Sequence, residues 1–177
     1  MKPYIELQLQ DPFMFGKVMA DIKNCEGFLE ALLNERIEVV RFPQREKFIQ
    51  VKKQGKYVQI DLHVGDVKQR IFDAEMQNKS ENPKRQKELP LRSRYYRSII
   101  DCDITTSGTP YLDLNEVCVI FVCTFDPFGK GRYRYTFQNT CLEDGELKLN
   151  DKVTTIFFNT TADLADVPEK QRSFFSI

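Results

Sequence analysis

The stretch VQIDLHVGDVKQRIFDAEMQ, residues 58–77, decides the fold. Val58, Ile60, Leu62 and Val64 make one apolar row of an extended chain, and Gln59, Asp61 and His63 face the other way. Residues 71–77 alternate again, with Phe72, Ala74 and Met76 against Ile71, Asp73, Glu75 and Gln77. A period of two over such lengths marks β-strands. Joined as a hairpin centred near Lys68, the two strands place Asp61 opposite Glu75, because both positions are equally far from that centre. Opposed residues of an antiparallel pair share a face, with Cβ atoms roughly 5 Å apart. Gln77, two residues beyond Glu75, joins them there. Two carboxylates and an amide oxygen are thus expected together, on the face opposite Val58, Ile60 and Leu62.

Helical spacing flanks this hairpin. Over residues 11–36, Phe13, Phe15, Val18 and Met19, then Phe28, Leu29, Leu32 and Leu33, recur at three- and four-residue intervals, with a break near Lys23 and Asn24. Asp11 before Pro12 is a helix start: a carboxylate cap followed by proline in the first turn. Residues 47–53 alternate as a strand that ends at a Gln54–Gly55 turn. After the hairpin, a polar and basic stretch over residues 79–88 leads into a helix over residues 90–101, with Leu91, Tyr95 and Ile99 in one stripe and Tyr96 and Ile100 beside it. VCVIFVCTF, residues 117–125, is continuously apolar and rich in β-branched residues, the pattern of a strand covered on both faces. FDPFG at 125–129 ends it as a turn. Residues 132–138, with Tyr133, Tyr135 and Phe137 on one side, and residues 153–158 add two more strands. The order α-β-β-β-α-β with extra C-terminal strands predicts an α/β fold, a mixed β-sheet flanked by helices. No linker or repeat divides residues 1–177, so one domain is expected.

Composition narrows the function classes. With 26 Lys and Arg against 26 Asp and Glu, the net charge is 0, which argues against a globally basic nucleic-acid binder but leaves room for a local basic patch. The 5 cysteines contain no CxxC pair and His63 is the only histidine, so a zinc site is poorly supported. Cys118 and Cys123 read as small core residues of the buried strand. Without a signal segment or a long apolar run, the expectation is a cytoplasmic, reduced protein that does not enter a membrane.

Two adjacent carboxylates repel when both are ionised and so favour a hard divalent cation such as Mg²⁺, which takes oxygen ligands and keeps several waters. The same alternation equally describes an exposed strand face on which polar residues alternate with core ones. His63, on the Asp61 side of its strand, is placed to assist proton transfer or simply to make a surface hydrogen bond. Asp11 on these grounds is an N-cap.

IDLHVGD at 60–66 followed by IFDAEMQ at 71–77 resembles the Asp…Glu-x-Gln signature of the transposase-associated branch of PD-(D/E)XK nucleases, which includes the recombination-promoting nucleases. DPFMFGKVM (11–19), FLEALLNE (28–35), LRSRYYRSII (91–100), GTPYLDL (108–114), VCVIFVCTFDPFG (117–129), YTFQNTC (135–141) and IFFNT (156–160) are similar too, in the same order, so the resemblance covers nearly the whole chain. It implies a restriction-endonuclease-like PD-(D/E)XK core. It further implies a metal-dependent DNA endonuclease linked to mobile elements and recombination, with Mg²⁺ as cofactor and Mn²⁺ able to substitute. Asp61, Glu75 and Gln77 then form the catalytic set, Asp61 and Glu75 hold the metal, and Asp11 becomes a third, helix-borne acid. Arg92 matches the Arg of the family's Arg-x-x-Tyr-Tyr pattern, here with Tyr95 and Tyr96. With Lys84, Arg85, Lys87 and Arg94 it is expected to contact DNA phosphates, although the same residues also fit the solvated face of a helix.

Two positions depart from the superfamily pattern. Ile60 stands where the superfamily name has proline, and Gln77 where it has lysine, although glutamine is usual in this branch. A lysine brings a cation to the reacting phosphate; a glutamine orients water by hydrogen bonding and brings no charge. The charge would then come from a second metal or from an arginine of the following helix. Branch members commonly run on beyond the point where this chain stops, which leaves room for a further C-terminal part. The oligomeric state stays open, a homodimer included. The rival reading is a nuclease-like fold that holds DNA or a protein without cutting. Intact Asp61 and Glu75 favour the enzyme, and the missing lysine leaves the rival open.

Overall fold

The computed structural model describes residues 11–49, 58–80 and 82–175. Helices α1 (Pro12–Val18) and α2 (Ile22–Leu33) lead into strands β1 (Val39–Ile49), β2 (Val58–Asp66) and β3 (Arg70–Gln77). Then come helices α3 (Pro83–Lys87) and α4 (Leu89–Ile104), strands β4 (Glu116–Cys123), β5 (Arg134–Phe137) and β6 (Val153–Asn159), and a last helical turn, α5 (Arg172–Phe175). The strands form one six-stranded sheet in the order β1-β2-β3-β4-β6-β5. β3, β4 and β6 run parallel, while β1, β2 and β5 pair antiparallel with their neighbours. The mixed α/β architecture is the expected one. β1 begins at Val39, well before the expected strand at 47–53, and the expected Gln54–Gly55 turn lies outside the described residues.

The β2–β3 hairpin has the register expected from a centre at Lys68: Leu62 pairs with Ala74, His63 with Asp73, Val64 with Phe72 and Gly65 with Ile71. Its turn is held by Asp66, whose Oδ1 accepts the N–H groups of Lys68 at 3.0 Å and Arg70 at 2.9 Å. Oδ2 of Asp66 accepts from Arg70 Nε at 2.8 Å, and Arg70 Nη1 reaches Glu35 at 2.8 Å. Gln69 takes the left-handed conformation (φ 60) that a three-residue hairpin loop requires at its last position.

In the centre of the sheet, β3 and β4 pair without interruption from Arg70↔Glu116 to Gln77↔Cys123. Every residue of β4 from Val117 to Cys123 is buried, as its unbroken apolar sequence requires when both faces are covered. One face carries Leu62, Val64, Phe72, Ala74, Ile120 and Phe158 against Phe15 of α1, Leu29 of α2 and Phe175 of α5. The other carries Ile71, Val119, Phe121 and Phe157 against Leu89, Tyr96, Ile99 and Ile100 of α4. Phe121 stacks on Phe157 with centroids 5.2 Å apart. All five cysteines are free thiols; burial pushes those of Cys25, Cys118 and Cys123 up to about 12, so they behave as packing groups. Among the described residues no helix is long and apolar enough to cross a membrane.

Two local expectations are corrected. The first helical segment breaks at residues 19–21, ahead of Lys23, because the Asp21 carboxylate accepts the Asn24 N–H at 3.1 Å and so caps α2. In α4, Leu91 is 58% and Tyr95 36% exposed, whereas Ile99 of the same expected stripe is buried; the face against the sheet is Leu89, Ser93, Tyr96, Ile99 and Ile100. A strict four-residue stripe drifts around a helix of 3.6 residues per turn. The buried positions, Leu89, Ser93 and Tyr96 at intervals of four and three and then the pair Ile99 and Ile100, do not. The polar stretch before α4 also contains α3, whose cap Asn82 accepts the Lys84 N–H at 3.0 Å.

The stacked centre of the sheet yields a stability prediction. Phe121→Ala removes a side chain that is 0% exposed and should cost about 3–5 kcal/mol. Urea unfolding is expected to show a lower midpoint with an unchanged slope.

Candidate active site

The β2–β3 ladder stops at Leu62↔Ala74, one step short of Asp61 and Glu75. Beyond that point carboxylates serve the backbone. The Asp61 N–H donates to Glu75 Oε1 at 2.9 Å, and the Met76 N–H donates to Asp61 Oδ2 at 3.1 Å. Each acid satisfies a donor of the opposite strand, so the two side chains sit in the gap between strands. Ile60, expected in one row with Leu62 and Val64, packs instead with the α4-side cluster, while its pairing with β1 runs on unbroken.

On β3 the face toward α4 carries Ile71, Asp73, Glu75 and Gln77. Asp73 is 0% and Glu75 2% exposed. Burial, and then the Asp61 charge, pushes the Asp73 carboxyl well above the ordinary carboxylate range, with Arg92 acting in the opposite sense. Glu75 is raised by burial and by the charges of Asp73 and Asp61, against the Asp61 N–H and Arg92. Both oxygens of Asp73 are buried without a hydrogen-bond partner among the described residues, an arrangement that costs free energy unless something compensates it.

Arg92 projects from the first turn of α4 into this cluster. Its Nη1 donates to Gln77 Oε1 at 2.7 Å, and its Nη2 donates to Tyr96 Oη at 3.0 Å and lies 3.4 Å from Glu75 Oε2. The guanidinium also covers the rings of Tyr96 and Phe121, at 5.3 and 5.6 Å. Gln77 is held at both ends, since its Nε2 donates to the Met76 carbonyl at 2.8 Å. The cation that the sequence lacks at position 77 is therefore delivered by Arg92 through Gln77.

Asp61, Glu75, Gln77 and Arg92 are brought together. His63 pairs with Asp73 across the ladder and is 6% exposed, a buried group and not a surface one. Asp11 stands before α1, its carbonyl accepting the Phe15 N–H at 2.8 Å. Lys84, Arg85 and Lys87 lie exposed on α3, and Arg94 is exposed on α4. Arg85 lines a cavity of about 200 Å³ together with Gln77, Leu89, Arg92 and Phe125, at the end of β3. Asp73 was missed as a site residue. Its signal was its place two residues before Glu75 on the same strand face, but its burial depends on α4.

The donor chemistry fits a hard divalent cation. Three carboxylates lie within electrostatic reach of one another, and one of them has two orphaned oxygens. Among the described residues, no three His, Cys, Asp or Glu side chains already form a ligand set in this conformation, so the side chains would have to reorient. The cluster yields a prediction independent of activity. In EDTA, Asp73→Asn should raise the melting temperature by roughly 2–4 °C, the shift that about 1 kcal/mol gives in a domain of this size, because it removes a repelling buried carboxyl. A melting temperature at or below wild type would mean that Asp73 is not a strained group.

A family model described as PD-(D/E)XK nuclease family transposase matches residues 13–172. No curated protein and no solved structure matches the chain. The matched span runs from α1 to the start of α5 and includes both acidic strands and the arginine-bearing helix. Members of such nuclease families generally use divalent metals on nucleic acid. The chain belongs to the PD-(D/E)XK nuclease family transposases.

Proposed function

We propose that this protein is a divalent-metal-dependent DNA endonuclease associated with mobile elements and recombination, using Mg²⁺ or Mn²⁺. The observation that carries the reading is the convergence of Asp61, Asp73 and Glu75 under one guanidinium, with the Asp73 oxygens lacking protein partners among the described residues. Asp61 and Glu75 would hold the cation, with Asp73 behind them, and Asp11 is retained as a third ligand on the family resemblance. When bound, the cation supplies water activation and charge neutralisation at the phosphate. The Asp61 N–H keeps Glu75 Oε1 in place, which fixes the carboxylate's orientation. Gln77 aims Arg92, and Arg92 contributes the positive charge that stabilises the phosphate as its charge redistributes. Arg94, Lys84, Arg85 and Lys87 would contact the DNA backbone. The buried free thiols fit a reducing compartment, and we place the protein in the cytoplasm.

One observation favours the non-cutting alternative, a DNA- or protein-binding module. Both ends of the Gln77 amide already bond within the protein, which leaves only one amide hydrogen and one carbonyl lone pair to orient a water in this conformation.

Supercoiled plasmid separates the two. Wild-type protein should nick it with Mg²⁺ or Mn²⁺ and not in EDTA. Asp61→Asn and Glu75→Gln, which keep an acceptor for the backbone N–H groups, should lower the rate by more than about 100-fold, beyond what loss of an outer-shell partner typically costs. Mn²⁺ should raise the melting temperature of wild type and not of Asp61→Asn. Wild-type rates in both variants would place the nuclease elsewhere; a wild type that never nicks with either ion would leave the binding module.

Backbone contact makes a separate prediction. The affinity of wild type for duplex DNA should fall with salt, and Lys84→Ala with Lys87→Ala should flatten the log–log slope by about 0.9 for each phosphate that is no longer neutralised. An unchanged slope would remove α3 from the interface.

A further inference from the structure

Helix α4 divides its face of the sheet in two. Toward β3 it carries Arg92 over the acids. Toward β5 and β6 it leaves a second cavity of about 300 Å³, lined by Ser93, Arg94, Arg97, Phe128, Phe137 and Thr155. That size is at the lower end of ligand pockets, roughly 300–1,000 Å³.

The floor is aromatic. The Phe128 ring lies 5.2 Å from Phe137 and 5.1 Å from the buried Phe157, and Phe137 lies 5.8 Å from Phe157. Phe137 belongs to the edge strand β5 and, despite these contacts, is 47% exposed. The opposite wall is basic. Arg94 is exposed on α4 and makes no salt bridge among the described residues; Arg97 lies one turn further, within electrostatic reach of Asp101. An open phenyl ring beside guanidinium groups suits a ligand with both a flat π-face and a negative charge. An apolar peptide would leave the arginines without a counter-charge. Duplex DNA would supply phosphates but keeps its bases stacked inside. An unpaired nucleotide supplies both.

We propose that this groove is a stacking subsite for single-stranded DNA, in which an unpaired base lies on Phe137 beside Phe128 and the adjoining phosphates meet Arg94 and Arg97. The choice of nucleic acid rests on the nuclease reading given above. The first two turns of α4 present Arg92 on one flank and Arg94 on the other, so a strand crossing them joins the acid cluster to the groove. The protein then acts on DNA with an unpaired stretch next to the bond that is cut.

Fluorescence anisotropy in EDTA, where cleavage plays no part, tests this with two labelled oligonucleotides of equal length, one of thymidylate and one abasic. Wild type should prefer the thymidylate strand by roughly tenfold, the contribution of a stacked base. Phe137→Leu, which keeps an apolar cover on the sheet, should erase that preference. Arg94→Ala, at an exposed position, should weaken both oligonucleotides alike and flatten the salt slope by about 0.7. Equal wild-type affinity for the two strands, or a preference that survives Phe137→Leu, overturns the proposal. Plasmid nicking without base preference would sink the subsite alone. Base preference lost in Phe137→Leu without any nicking would sink the nuclease reading alone.

Discussion

The position of β3 constrains everything around it. It lies between an antiparallel and a parallel neighbour and is covered on both faces, so residues 71, 73, 75 and 77 must enter the layer beneath α4. Three of those four are polar, in a layer otherwise made of Ile, Leu, Val, Phe, Tyr and Cys. A carboxylate in such a place raises its own pKa by desolvation, and each further carboxylate raises it again. The molecule compensates only in part. Backbone N–H groups of Asp61 and Met76 serve two of the acids, Arg92 faces the cluster, and Asp73 is left without a hydrogen-bond partner among the described residues. A locally uncompensated polar group in an otherwise consistent core is where function is expected to override stability.

Arg92 reconciles the sequence with the chemistry. A lysine at position 77 would place its ammonium on β3 itself. Here Gln77 is neutral and grips the guanidinium of the next helix at 2.7 Å, while Tyr96 holds the other nitrogen at 3.0 Å. The charge is the same, but it now depends on the α4–β3 packing as well as on β3. That ties the site to the aromatic layer of Phe121 and Phe157, on which Arg92 and Tyr96 rest. Membership of the nuclease transposase family agrees with this construction, since the matched span contains every part of it.

Much of this was legible in the residues alone. The hairpin register followed from a two-residue period on both strands and a turn centred at Lys68, both properties of neighbouring residues. The buried β4 followed from a continuous apolar run rich in β-branched residues. Asp61 opposite Glu75 followed from the register, although the ladder ends one step before them and carboxylate bonds take its place.

What the tertiary structure alone decided concerns which surface each element meets. Periodicity relates residues within one element; it does not say which neighbour covers a given face. The phase of α4 was set by Leu89 and Tyr96 docking on the sheet, and it turned Leu91 and Tyr95 outward. Ile60 was found in the α4-side cluster and not with Leu62 and Val64. Asp73 looked like one more polar residue on an alternating strand until α4 closed over it, and only that distant contact turned an ordinary aspartate into a buried acid. The sequence by itself determined that Asp61 and Glu75 meet across adjacent strands. How strongly those acids are desolvated, and that Arg92 is the cation set against them, depended on a helix whose position no local pattern encodes.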